Sequence, residues 1–68
     1  MPWYSFLVQW PDGRSHDAGA TVLPDHNRAH RYARLLIREL KQRPGYHEPD
    51  IKMIVKDEAG TTTHAVPF

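Results

Sequence analysis

The chain has 68 residues, 40% hydrophobic and 25% charged, a mixture that suits one small globular domain and excludes a two-domain architecture or a disordered tail. It has no cysteine, which removes disulfide frameworks, thiolate metal sites and a cysteine nucleophile together, and no apolar run approaches the length of a membrane span. The formal charge of +1 hides a polarised layout: His26 to Arg43 holds six basic residues against Glu39, a net of +5, while the remainder holds three basic and seven acidic residues, a net of −4.

Between Trp3 and Trp10, Tyr4, Phe6, Val8 and Trp10 share one parity and Trp3, Ser5, Leu7 and Gln9 the other, the period of a strand. The uniformly large apolar parity predicts a core face, and the mixed one a face that is partly solvated or covered by a partner. Pro11-Asp12-Gly13 joins a ring-fixed φ, a side chain that bonds its own backbone and a residue free to take positive φ, so a hairpin follows. Its second strand lies between Arg14 and Val22, with Gly19 marking a bulge or a bend at a sheet edge.

Leu23-Pro24-Asp25 closes this hairpin, and Asp25 is placed to cap a helix by accepting first-turn amides on its carboxylate. At about 100° per residue, Ala29, Tyr32, Ala33, Leu36, Ile37 and Leu40 form one apolar stripe, and Asn27, Arg31, Arg34, Arg38 and Lys41 the opposite face. Cations in the later turns suit the helix dipole, and Pro44-Gly45 stops the helix. Leu35 falls between the stripes beside Arg31 and Arg38, as a shoulder of the core or as part of an interface.

Tyr46 to Asp50 reads as a connector, and Ile51 to Lys56 as a strand with Ile51, Met53 and Val55 inward. Asp57-Glu58-Ala59-Gly60 is a turn leading into a β-branched strand from Thr61 to Val66. The order ββαββ predicts an α+β, two-layer sandwich: an antiparallel sheet with one amphipathic helix on one face, in a single domain over residues 1–68.

Three motifs together carry a resemblance. Met1-Pro2-x-Tyr4-x-Phe6-x-Val8 at the start, Leu23-Pro24-Asp25 before an alanine- and arginine-bearing helix, and Val55-x-Asp57-Glu58-x-Gly60 leading to Val66-Pro67-Phe68 resemble a family of short bacterial proteins catalogued as a domain of unknown function. The likeness spans essentially the whole chain and implies a small α+β fold with no assigned activity. The chain departs from that family's pattern at His26, Asn27 and Arg28, where acidic residues usually open the helix, and at Gly19, which lies one position early.

The sharpest cluster is the cationic face of Arg31, Arg34, Arg38 and Lys41, spaced to meet successive phosphates or to stand in solvent as a charged helix face. His26 and His30, four apart, project from one side of the helix, but Asn27-Arg28-Ala29 replaces the glutamate of a zinc hydrolase motif and no third ligand is evident, so no metal or other cofactor is assigned. Nothing marks a catalytic group, and a domain this small offers little room for a small-molecule pocket, so no enzyme is expected. Trp3 and Leu7 share the outward parity of the first strand; either they meet a partner, or Trp3 packs under Phe68 in a monomer.

The expectation is a cytoplasmic, noncatalytic interaction module, a homodimer through the open sheet face or an edge strand, with Trp3, Leu7, Leu35 and Ile54 as contacts and another protein as a further partner. The alternative is nucleic-acid binding through Arg31, Arg34, Arg38 and Lys41; no membrane partner is expected.

Overall fold

The computed structural model describes residues 2–68, which form β1 (Trp3–Gln9), β2 (Ser15–Val22), α1 (His26–Leu40), β3 (Lys52–Asp57) and β4 (Thr62–Pro67). The four strands make one antiparallel sheet in the order β2-β1-β3-β4, with α1 on one face. This is the ββαββ arrangement expected from the residue pattern, and the strand order, which the pattern left open, places β2 and β4 at the edges.

Parity decides the core. Tyr4, Phe6 and Val8 of β1, Met53 and Val55 of β3 and Val66 of β4 are buried against Ala29, Ala33 and Ile37 of α1, and Ile51 joins them from just ahead of β3. Ala29 and Ala33 are fully buried and end at Cβ, so the helix backbone lies close over β3 and β4. Tyr32, Leu36 and Leu40 fill the flank toward β1 and β2, where the Tyr32 ring meets Phe6 at a centroid distance of 5.0 Å.

Asp25 caps α1 as expected, its Oδ1 accepting the Arg28 amide at 2.8 Å. The helix stops at Leu40, sooner than Pro44 alone requires, because the Gln42 and Arg43 amides donate to the Glu39 and Leu40 carbonyls and tighten the last turn.

Both sheet edges are interrupted. Phe6 pairs with Gly19 and Leu7 with Asp17, so Ala18 is the extra residue of a bulge in β2; Gly19 adopts φ 110°, and Asp17 Oδ1 accepts its amide at 2.8 Å. In β4 the register slips at Thr63, and the Phe68 amide donates to the Ile51 carbonyl at 3.0 Å. That alternation turns the intervening Pro67 outward, where its missing N–H breaks no ladder bond.

The domain measures 33 × 22 × 15 Å. Its thinnest dimension is that of one helix on one sheet, so nothing in the described residues backs the second face of the sheet. No described helix is long and apolar enough to cross a membrane.

Candidate interaction surfaces

The uncovered sheet face is assembled by register. Trp3 stands opposite Val22, Ser5 opposite Ala20, Leu7 between Asp17 and Ile54, and Ile54 opposite Ala65. Trp3 and Val22 keep 45% and 53% of their surface exposed, whereas Leu7 and Ile54 are half-buried by their neighbours in the sheet. Lys52 and Lys56 flank Ile54 along the same parity of β3. Trp3, Leu7 and Ile54, three of the four expected contacts, therefore share one surface. The alternative place for Trp3 fails: Phe68 has the parity of Val66, toward the helix, and its ring stacks on Tyr46 at 6.2 Å and 11°.

Leu35, the fourth expected contact, lies elsewhere. It is 55% exposed on α1 and lines a trough of about 780 Å³ between the helix and β4. Arg31, Arg34, Arg38 and Lys41 line the same trough, with Val66, Pro67 and Phe68 on its β4 side. A domain of this size was expected to have little room for a ligand; the room exists, though as an open furrow rather than an enclosed pocket.

None of these four cations has an ion-pair partner among the described residues. Several acids are instead engaged by their own turns. Asp57 Oδ1 accepts the Ala59 and Thr61 amides, both at 3.0 Å, and Asp25 and Asp17 accept the Arg28 and Gly19 amides. Arg14 is the contrasting case, with Asp12 at 2.7 Å, Glu48 at 2.9 Å and its guanidinium 5.2 Å from the Trp10 ring centroid. The Arg14 amide, with its guanidinium beside it, holds the Asp12 carboxyl below the usual range, and the hydrogen bonds to Asp12 and Glu48 raise Arg14. Arg14 thereby ties the first hairpin to the connector after α1, while the helix cations remain free.

Histidines form a third group, one member of which is not evident in the sequence. His30 of α1 and His64 of β4 stack at a centroid distance of 5.1 Å and 21°, and His26 meets His64 edge-on at 6.2 Å. Thr63 Oγ1 lies 3.0 Å from His64 Nδ1. His64 shares the parity of Val66, which was a usable signal that it turns toward the helix. Burial holds the His64 imidazole below its ordinary value, and His30 and His26 add to that direction. Among the described residues no group of three or more His, Cys, Asp or Glu side chains is arranged to hold a metal ion; His47 and Asp50 stay exposed in the connector. At the same end of the molecule, burial raises the Tyr4 phenol, with Asp25, Asp57 and Glu58 contributing.

Among known proteins, a family model described as Domain of unknown function (DUF6894) matches residues 3–68. No curated protein and no solved structure matches the chain.

Proposed function

The chain belongs to the DUF6894 family of domains of unknown function, and from that premise we propose that it is a noncatalytic interaction module that pairs with a second copy of itself through the uncovered sheet face. The observation that carries this reading is the Trp3–Val22 pair, two large apolar side chains left exposed on the face that the chain does not cover, beside the Leu7–Ile54 row. Four strands about 4.8 Å apart offer a surface roughly 20 Å across, which suits a modest two-sheet interface. A two-fold axis parallel to the strands and centred on the sheet lays β1 of one copy, with Trp3 and Leu7, over β3 of the other, with Ile54 between Lys52 and Lys56. The blunted edges disfavour the edge-strand route, and a core this small gains from association. The proposed setting is the bacterial cytoplasm, where a cysteine-free chain forgoes nothing.

Sedimentation equilibrium at micromolar concentration tests the reading. A dimer mass that falls to monomer in Trp3→Lys supports it; a monomer throughout, or a dimer indifferent to Trp3→Lys, overturns it.

A further inference from the structure

We propose that the trough between α1 and β4 binds single-stranded nucleic acid, with Arg31, Arg34, Arg38 and Lys41 on the phosphates and Phe68 against a base. The four cations follow one another at intervals of three, four and three residues, which at 1.5 Å per residue makes a row about 15 Å long on one flank of the helix. Like charges at these intervals repel, and none of the four forms an ion pair among the described residues. The row is therefore a cost to the isolated helix that a polyanion removes. The rest of the chain outside His26 to Arg43 carries a net of −4, so positive charge is concentrated on the helix segment that supplies this row.

The opposite wall selects the kind of polyanion. Phe68 lines the trough and is one end of an aromatic run in which its ring stacks on Tyr46 and Tyr46 packs on Trp10 at 5.7 Å. With Leu35 alongside, that gives the trough an apolar wall and a π surface. Unstacked bases use both, whereas a duplex keeps its base faces inside and an acidic peptide brings carboxylates without planar faces for the ring. This site lies on the helix side of the molecule and does not rest on the sheet-face reading.

Fluorescence anisotropy with a labelled oligothymidylate of ~12 nucleotides, titrated between about 50 and 200 mM salt, tests the proposal. Engagement of three or four phosphates gives a slope of log K against log salt of about −2 to −3, and Arg34→Gln/Arg38→Gln makes the slope shallower by about 1.4. Both arginines are exposed, and the melting curve of the double variant checks that its fold is intact. Phe68→Ala is expected to weaken binding about fivefold or more at an unchanged slope, because stacking is not electrostatic. No binding at the lower salt, or a slope untouched by the double variant, overturns the proposal. Equal or tighter binding of duplex DNA or polyglutamate also overturns it, the latter in favour of an acidic protein partner.

Discussion

Phe6 and Leu7 are neighbours in the chain and opposites in the sheet. Phe6 is 1% exposed beneath α1, whereas Leu7 is half-buried on a face that no element covers. Each strand of the central pair, β1 and β3, repeats the contrast, with Met53 fully buried beside half-exposed Ile54. The two faces are thus built from the same strands, one apolar beneath the helix and the other mixing Trp3, Leu7 and Ile54 with Ser5, Lys52 and Lys56 where this chain supplies no second layer. The difference teaches that apolar alternation reports a strand's capacity for burial, and that a helix long enough for only one side leaves the other side's capacity unused.

That contrast is breakable. Phe6→Ala is expected to cost about 3–5 kcal/mol, comparable with the whole stability of so small a core, and to leave the protein largely unfolded by circular dichroism at room temperature. Leu7→Ala, measured at a dilution that keeps the monomer, is expected to cost about 1 kcal/mol, and equal losses at the two positions would erase the distinction between the faces. Gly19→Ala probes the bulge that keeps β2 aligned with both faces. An added Cβ meets nothing within 4 Å, so the expected loss of about 1–2 kcal/mol in chemical denaturation is the backbone's alone. Asp25→Ala weakens the start of the covering helix by about 1 kcal/mol, read as a lower melting temperature.

The smallest effect lies at the margin of the covered face. The His64 imidazole is held below its ordinary value of 6.5 by burial, then by His30 and His26, so the unfolded chain takes up the proton more readily than the folded one. Its contribution to stability is intact above pH 6.5 and is lost as pH falls through the lower folded value. Melting temperatures are expected to drop on acidification across that range, and less steeply in His64→Asn.

What was legible in the residues was whatever repeats locally. The parity of Tyr4, Phe6 and Val8, the helical stripe through Ala33 and Ile37, the cap at Asp25 and the irregularity at Gly19 each depend on neighbours a few positions apart, and each stands in the structure. Features that depend on strand order were hidden. Only because β4 is an edge does the helix flank face Val66 to Phe68 across a trough, which draws Leu35 away from Trp3 and into company with Arg34 and Arg38. The freedom of the helix cations was hidden for a related reason. A charge count does not say which cations are paired, and only the coordinates show Arg14 between Asp12 and Glu48 while Arg31, Arg34, Arg38 and Lys41 have no ion pair among the described residues.

The outward-turned Pro67 and the displaced Ala18 have a consequence for growth. A sheet interrupted on both rims presents no long flat edge to a further strand, so lengthening sideways by edge-to-edge pairing is disfavoured.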